Sequence, residues 1–329
     1  MIIMKDGKRK YNIPIFIPHL GCPNSCAFCN QKKITGVCTD VRCEDVKDII
    51  SKSLLTAEED ADIEVAFFGG SFTGLDKNVQ IAFLKTANEF FPKVRGIRIS
   101  TRADYINEEV IDILKKYGVT AVELGVQSTD KEVLRKNLRR HGFKEVQKAA
   151  ELIKKAGFEL GLQMMIGMYG SDFEKDKKTA EDIISLKPQT TRIYPTVVLK
   201  GTKLEEYYNK GIYTPYTLEE AAECAKDIYL SFIKNGIKVI RMGLHSSEDL
   251  NGGSVVSGPY HPAFGEMVFS LIYRDGIEEK ILKDKLLNCR MEIFAGRGET
   301  SKIIGHKKSN LLYFKQKYGV DLHIAELDA

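Results

Sequence analysis

Three cysteines lie close together near the start of the chain, in the segment Cys22-Pro-Asn-Ser-Cys26-Ala-Phe-Cys29. Three thiolates on one short loop can converge on a single metal centre, because thiolate sulfur binds both zinc and iron–sulfur clusters. Both kinds of centre normally take a fourth ligand, which Cys38 or Cys43 could supply. Zinc binding, cluster binding and incidental buried thiols are the interpretations that the residues alone leave open.

The cysteine loop follows the first of several short hydrophobic runs, and the order of these runs predicts the fold. From Ile13 onward, β-rich runs alternate with stretches of helical periodicity, which predicts βα units and a parallel sheet. We predict strands over residues 13–19, 63–68, 96–100, 121–126, 159–166 and 191–194. We predict helices over residues 43–56, 75–90, 107–117, 143–156 and 173–186. Ligands bind at the carboxyl ends of strands in such folds, so the cysteine loop lies at the functional edge.

After Tyr194 the alternation stops and the chain changes character. A further helix is predicted over residues 218–235 and a strand over 237–241, and a long loop follows over 243–265. We expect a large domain over residues 1–242, a connecting active-site loop and helix over 243–279, and a small basic domain over 280–329. Long loops in compact chains are usually functional, so His245, His261 and Glu266 are candidate catalytic residues for proton transfer or substrate orientation. The alternative is that the two histidines only satisfy the loop backbone.

The spacing of the cysteines, with Phe28 before the last of them, resembles the radical S-adenosylmethionine (radical SAM) superfamily. The resemblance implies an α/β fold with a partial parallel (β/α)6 barrel. It also implies that Cys22, Cys26 and Cys29 hold a [4Fe-4S] cluster whose fourth iron binds S-adenosyl-L-methionine (SAM), from which a 5'-deoxyadenosyl radical is released. A low-potential electron donor such as flavodoxin or ferredoxin is an implied partner.

The same resemblance implies SAM contacts at successive strand ends. Backbone carbonyls of a Gly-Gly motif would bind the amino group of SAM, and here Ser71 replaces the usual acid of that motif. Polar residues after the fourth strand would bind the ribose, and an arginine of an Arg-Arg-His segment would pair with the carboxylate. The residues in these expected roles are Phe28, Gly69, Gly70, Ser71, Thr101, Gln127, Ser128, Arg139 and, on the adenine-binding strand, Ile166.

The longest resemblance covers roughly residues 12–240 and is to the radical SAM domain of the Elongator catalytic subunit (Elp3), which modifies tRNA. Two differences from that family argue against assigning its full activity to this chain. The chain leaves no room after residue 240 for the acetyltransferase domain of that family, and the segment Gly258-Pro-Tyr-His-Pro-Ala-Phe-Gly265 has no counterpart in it. We therefore expect that acetyl-CoA-dependent carboxymethylation of uridine does not carry over.

Basic residues are concentrated near the end of the chain. Between residues 280 and 318 there are ten Lys and Arg against three acids, a local charge of +7, whereas the whole chain carries +4. Aromatic residues are interleaved at positions 294, 313, 314 and 318, a combination that serves phosphate neutralisation and base stacking. Two strands flanking two helices, with Gly305-His306-Lys307-Lys308 between the helices, resemble a KH motif. Lys308 replaces the last glycine of that turn, and a solvated basic cap is the alternative interpretation.

The 329 residues contain no apolar run of the roughly 20 residues that a membrane-spanning helix needs, and no export signal is visible. We expect a cytoplasmic radical SAM enzyme that modifies an RNA, with tRNA favoured. Radical chemistry on a small molecule or a peptide is the alternative. A zinc-stabilised RNA-binding protein is the third possibility.

Overall fold

The computed structural model describes residues 10–17, 22, 26–30, 41–58, 61–245 and 250–327. Cys38, the end of the first predicted strand at residues 18–19, and residues 246–249 of the long loop lie outside the described residues.

The main sheet consists of parallel strands in the order β1-β2-β3-β4-β5-β6-β8 and curls into a half-barrel. Its strands are β1 Lys10–Ile17, β2 Asp62–Gly69, β3 Gly96–Thr101, β4 Val119–Gln127, β5 Glu159–Ile166, β6 Thr190–Pro195 and β8 Lys238–Met242. A short antiparallel pair, β7 Val198–Leu199 and β9 Val255–Ser257, joins two of the loops beyond the sheet.

Helices connect these strands and begin at residues that satisfy free backbone N–H groups. The Asn107 side chain accepts a hydrogen bond from Val110 N at the start of one helix, and Thr217 and Glu220 form a capping box at another. The helices that belong to the half-barrel are α1 Cys43–Thr56, α2 Lys77–Asn88, α3 Glu108–Lys116, α4 Lys131–Lys136, α5 Phe143–Lys155, α6 Phe173–Ser185, α7 Lys203–Asn209 and α8 Leu218–Lys234.

Side chains along β1 point alternately into the main core and into the interior of the half-barrel. Ile13, Ile15 and Ile17 are fully buried in the main core, which lies between the sheet and the helices. Asn12 and Phe16, on the opposite face of the same strand, line the interior of the half-barrel. One face of the sheet is thus committed to packing, and the other is available for ligands.

The predicted fold class is confirmed, with one addition to the strand count. The strand predicted over residues 237–241 becomes β8 and pairs in parallel with β6, so the half-barrel has seven described strands rather than six. Helices α4 and α7 were not predicted. They have six and seven residues, too few to show a helical period in the sequence.

A single helix, α9 Phe264–Asp284, leads from the half-barrel into a small C-terminal region. That region contains β10 Arg290–Ala295, α10 Thr300–Ile304, α11 Ser309–Tyr318 and β11 Asp321–Glu326, with β10 and β11 paired in parallel. Its own apolar core includes Phe314 and Met291, and also Ile277 and Ile281 from α9. No helix of the described part of the chain has the length and apolar character that a membrane crossing requires.

Candidate active site

A cavity of about 500 Å³ opens at the carboxyl edge of the half-barrel, and every strand of the main sheet contributes to its wall. Gly69, Thr101 and Gln127 are the last residues of their strands and all three line it. The lining includes the following residues that the sequence analysis assigned to a site: Cys22, Cys26, Phe28, Cys29, Gly69, Gly70, Ser71, Thr101, Gln127, Arg139 and His245.

The cysteine segment is anchored on both sides through the backbone of Ala27. Ala27 N donates to Asn137 O at 3.0 Å, and Leu204 N donates to Ala27 O at 2.8 Å. Burial raises the pKa of the Cys22 thiol, and the nearby Arg102 guanidinium opposes that effect. Within the described ranges no three His, Cys, Asp or Glu side chains stand close enough to hold a metal ion. All three cysteines line the same cavity. Their sulfur atoms must move closer to one another to bind a single cluster.

The end of β2 brings backbone rather than side chains to the cavity. Gly69 has φ +102°, and a Cβ there would lie 3.4 Å from backbone atoms of Ile17. Gly70 N donates to Ile17 O at 2.8 Å, which fixes the turn against β1. Glycine at this position therefore combines a left-handed backbone with a close approach between neighbouring strand ends.

Buried hydroxyl groups support the Gly-Gly turn from behind. The Thr101 hydroxyl lies 2.8 Å from the Ser71 hydroxyl and 2.6 Å from the Thr73 hydroxyl. Arg102 N also donates to the Ser71 hydroxyl oxygen at 3.2 Å. Ser71, which stands where the family has an acid, is thus part of a hydrogen-bonded network that joins the ends of β2 and β3.

Arg139 is a buried cation beside the cysteines. Its Nη1 lies 3.8 Å from Cys26 Sγ, its Nη2 donates to Gly125 O, and its Nε has no hydrogen-bond partner among the described residues. Burial lowers the pKa of its guanidinium, and Cys26 opposes that shift. A buried arginine with an unsatisfied donor at the cavity wall suits a negatively charged ligand.

A second arginine near the cysteines is already neutralised. Arg102 makes a bidentate ion pair with Asp104, from Nε to Oδ1 at 2.9 Å and from Nη2 to Oδ2 at 2.7 Å. His141 Nδ1 lies 3.2 Å from the same carboxylate. Burial, reinforced by the charge of Arg139, lowers the pKa of His141 to about 4, so this imidazole is neutral at physiological pH.

Three of the residues expected to contact SAM have protein partners or lie outside the cavity lining. The Gln127 and Gln163 amides pair reciprocally, at 2.9 and 2.8 Å, so the Gln127 side chain has a protein partner within the cavity wall. Ser128 does not line the cavity, and its hydroxyl accepts from Asp130 N at 3.2 Å. Ile166 is buried behind the wall, and its carbonyl accepts from Thr196 N at 3.0 Å.

Of the candidate catalytic residues, the structure brings only His245 to the cavity, with its ring 6.1 Å from that of Phe16. His261 and Glu266 do not line it. His261 lies against His306, and its Nδ1 accepts a hydrogen bond from Ala263 N at 3.0 Å. Glu266 lies in the first turn of α9.

A group of charged residues that the sequence did not predict to be functional lies on the inner face of the sheet. Arg98 contacts the carboxylates of Glu64, Glu123 and Glu159, and Arg192 contacts both oxygens of Glu123, at 2.8 and 3.0 Å. Arg241, on β8, also lines the cavity. An arginine between apolar residues in the middle of a predicted strand could have indicated this charged group. Alternate residues of a strand face opposite sides of the sheet, so such an arginine points into the half-barrel while its neighbours pack in the core.

The turn expected to bind RNA lies in the C-terminal region, away from the cavity lining. Gly305 has φ +81°, and a Cβ there would lie 2.4 Å from the Ser309 hydroxyl, so the turn requires glycine. His306, Lys307 and Lys308 are exposed. The expectation of base stacking fails for Phe314, which is fully buried in the small core, whereas Phe294 is 61% exposed.

The residues present fit an iron–sulfur cluster and SAM. The three thiols are soft ligands for iron. The glycine turn offers backbone carbonyls to the cavity, and Arg139, with its unsatisfied Nε, provides a cation in the same wall. When bound, this pair of cofactors supplies an agent strong enough to abstract a hydrogen atom from an unactivated carbon.

Solved structures that are similar to this chain share its fold. One is the archaeal Elp3 of Methanocaldococcus infernus with an N-terminal deletion, with a TM-score of 0.68 and 24% identity over 82% of this chain and 64% of that chain. Another is the coproporphyrinogen III oxidase of Escherichia coli, with a TM-score of 0.51 and 18% identity over 70% of this chain and 53% of that chain.

Two named proteins are similar to this chain in sequence. The chain is 32% identical over 253 residues to the tRNA uridine(34) acetyltransferase of Methanocaldococcus jannaschii, covering 69% of this chain and 44% of that protein. It is 27% identical over 238 residues to Elongator complex protein 3 of Bos taurus, covering 66% of this chain and 43% of that protein. The chain thus spans less than half the length of either relative.

Two family models match consecutive parts of the chain. The model of the radical SAM superfamily matches residues 16–183, which include the three cysteines and Arg139, and the radical SAM C-terminal domain matches residues 188–274. The first match alone covers half of the chain. The chain therefore belongs to the radical SAM superfamily and is a radical SAM enzyme, with a [4Fe-4S] cluster and SAM as its cofactors.

Proposed function

We propose that this radical SAM enzyme modifies an RNA and that a tRNA is its substrate. The observation that carries the proposal is the 32% identity to a protein named tRNA uridine(34) acetyltransferase over 69% of this chain. The basic C-terminal region supports it independently, since that region lies beyond residue 274, where the matched family models end. The chain spans 44% of the length of that relative.

Cys22, Cys26 and Cys29 hold the cluster in this proposal. The superfamily resemblance assigns these three thiolates to it and leaves the fourth iron for SAM. Gly69 and Gly70 present backbone carbonyls to the amino group of SAM, and the hydroxyl network of Ser71 and Thr101 holds their turn in place.

Arg139 pairs with the carboxylate of SAM, because its free Nε and its burial favour a charged partner. Gln127 and Phe28 complete the wall around the cofactor. Ser128 and Ile166 do not line the cavity. In this proposal they support the strand ends that contact SAM and do not contact it themselves.

The C-terminal turn holds the RNA backbone in this proposal. Lys307 and Lys308 are exposed and adjacent, and both have the left-handed backbone, with φ +51° and +63°. Gly305 permits the turn that displays them, together with His306. Exposed Phe294 is the aromatic residue of this region that is available to stack on a base.

One electron is needed to start each reaction, and a low-potential protein such as flavodoxin or ferredoxin supplies it in this proposal. A chemical reductant such as dithionite can replace this partner in the test below.

Anaerobic reconstitution of the cluster, followed by measurement of 5'-deoxyadenosine with and without total tRNA, tests the proposed function. We expect tRNA to stimulate 5'-deoxyadenosine formation, and we expect mass spectrometry of digested tRNA to show a mass shift in one nucleoside. Stimulation by a peptide or metabolite fraction, with none by tRNA, would contradict the proposal and favour small-molecule or peptide chemistry.

A further inference from the structure

Four arginines line the cavity, and they differ in how their charge is balanced. Arg102 is paired with Asp104, and Arg192 with Glu123. For Arg139 and Arg241 no Asp or Glu among the described residues lies within ion-pair distance. A charge taken from water is costly unless a counter-charge accompanies it, so these two arginines suit negatively charged ligands.

Arg241 is held in place by neutral groups. Its Nε donates to Gly243 O at 3.1 Å, and its Nη2 donates to Leu244 O at 3.2 Å. These two carbonyls fix the orientation of the guanidinium but do not cancel its charge. The Nη1 group has no hydrogen-bond partner among the described residues, so it remains available to a ligand in the cavity.

The carboxylate of Glu123, which also lines the cavity, does not balance Arg241. Both of its oxygens are engaged by Arg192, and one of them also accepts from Arg98 at 3.3 Å. Arg192 and Arg241 are Cα partners across β6 and β8. The Glu123 carboxylate is therefore already engaged by two arginines, and Arg241 has no carboxylate partner among the described residues.

Arg139 and Arg241 reach the cavity from different parts of the sheet. Arg139 contacts the carbonyl of Gly125 on β4, whereas Arg241 lies on β8, three strands away in the sheet order. They are therefore two separate cationic positions in the cavity wall.

We propose that Arg241 binds an oxyanion of the substrate, a phosphate or a carboxylate group, on the β8 side of the cavity. This inference deepens the proposed function, because it takes the same cavity as the active site. The planar guanidinium offers paired N–H groups that match the oxygens of either anion. His245 also lies in the cavity wall and flanks the same ligand. Burial lowers the pKa of His245, and the charge of Arg241 lowers it further.

Calorimetric titration of the reconstituted holoenzyme with three probes tests the inference. Uridine 5'-monophosphate represents a phosphate, succinate represents a carboxylate, and uridine is the neutral control. The variants are Arg241→Gln, which removes the charge, and Arg241→Lys, which keeps it without the planar fork. Arg95→Gln is the matched control, because Arg95 is exposed directly before β3, at the opposite edge of the sheet.

We expect one of the anions to bind the parent, and we expect its dissociation constant to rise about tenfold or more in Arg241→Gln, less in Arg241→Lys and not at all in Arg95→Gln. Binding of uridine should not change. The anion whose dissociation constant rises in Arg241→Gln shows whether the oxyanion of the substrate is a phosphate or a carboxylate. Equal dissociation constants in parent and Arg241→Gln, or failure of both anions to bind the parent, would overturn the inference.

Two controls separate this result from other failures. Iron content and circular dichroism show whether Arg241→Gln is folded, and if it is not, the comparison of Arg241→Lys with the parent decides the question. If tRNA fails to stimulate 5'-deoxyadenosine formation but Arg241→Gln still weakens anion binding, the proposed RNA substrate is wrong and the oxyanion site is retained.

Discussion

The imidazole ring of His261 meets the ring of His306 edge to face, with centroids 4.8 Å apart. His261 belongs to the segment that follows the half-barrel, and His306 belongs to the exposed turn of the C-terminal region. Burial lowers the pKa of His261, and the nearby His306 and Lys307 lower it further. This contact joins the proposed RNA turn to the chain segment that begins at the cavity wall with His245.

The two loop histidines should therefore have separable effects. We expect His261→Ala to weaken tRNA binding, because it removes support from the turn, and to leave 5'-deoxyadenosine formation without tRNA unchanged. We expect His245→Ala to lower tRNA-dependent product formation, because His245 lines the cavity. Filter binding and product analysis check the pair. Equal loss of tRNA-independent turnover in both variants would contradict the assignment.

Cluster binding should depend on three cysteines and no others. Alanine at Cys22, Cys26 or Cys29 should each abolish bound iron after reconstitution, because each thiolate holds one iron of the cluster. Alanine at Cys43, Cys224 or Cys289 should leave iron content near that of the parent, as measured by iron and sulfide analysis. Loss of the cluster from Cys38→Ala or Cys43→Ala, as complete as from Cys26→Ala, would show a fourth protein ligand.

The turn at Gly69 should matter for SAM and not only for folding. Gly69→Ala and the control Gly157→Ala both place a side chain at positive φ, +102° and +86°, which costs about 1–2 kcal/mol of stability in each. A Cβ at Gly157 meets no atom within 4 Å, and that residue precedes β5 at the opposite edge of the sheet. We expect only Gly69→Ala to weaken SAM binding in equilibrium dialysis. Similar SAM affinities in the two variants would refute the role of this turn.

The turn lysines should control RNA binding through their position rather than through net charge. In the double variant Lys307→Asp, Lys308→Asp, two acids would face the RNA phosphates, while aspartate tolerates the left-handed backbone that both positions require. The control variant Lys144→Asp, Lys148→Asp changes charge equally on the exposed face of α5.

Filter binding over a salt series should show a much weaker complex for the turn variant, with the slope of log affinity against log salt reduced by about 2. The α5 variant should bind tRNA nearly as the parent does, and both variants should keep full iron content. If the two variants lose the same affinity, the turn has no special role.

Acid should destabilise the C-terminal region through Glu278. Its carboxylate accepts hydrogen bonds from Lys317 at 2.8 Å and from the Tyr313 and Tyr318 hydroxyls at 2.6 Å each. Burial raises the pKa of this carboxyl, but those hydrogen bonds outweigh it and lower the pKa to about 2, from an ordinary value of 4.5. The stabilisation is therefore present above pH 4.5 and is lost as the pH falls towards 2.

Glu278→Gln should accordingly lower the free energy of unfolding at pH 7 by about 1–3 kcal/mol, and the difference from the parent should shrink below pH 4.5. Glu279→Gln is the control, because the neighbouring Glu279 is exposed. Thermal unfolding across the pH range measures both. A difference between Glu278→Gln and the parent that stays constant down to pH 3 would exclude this carboxylate as the cause.

Much of the fold could be predicted because it depends on local pattern. The predicted bounds of α1 agree with the structure, and Asn107, predicted inside α3, is its N-cap. The pairing of Gln127 with Gln163 could not be predicted, because it depends on the register of β4 with β5, which shifts between Gly125 and Gln127. Periodicity likewise says nothing about which side chains of neighbouring strands pair inside the half-barrel.

The C-terminal region shows another limit of sequence patterns. Phe314 lies among lysines in the sequence and was expected to stack on bases, but it packs on the inner face of α11 within the small core. Composition reports that basic and aromatic residues are interleaved, whereas the helical period decides which of them face solvent. Arg241 was missed for a related reason, since one arginine in a short strand has no meaning until the strand is placed in a sheet.

Helix α9 contributes to two cores at once. Phe264 and Val268 pack in the main core, and Ile277 and Ile281 pack in the small core. Its 21 residues correspond to about 31 Å of continuous helix. The C-terminal turn lies beside the first half of this helix, because Asn310 Nδ2 donates to Ser270 O at 2.9 Å and His306 contacts His261. The two cores share one helix, so unfolding of either core would remove apolar contacts from the element that the other depends on.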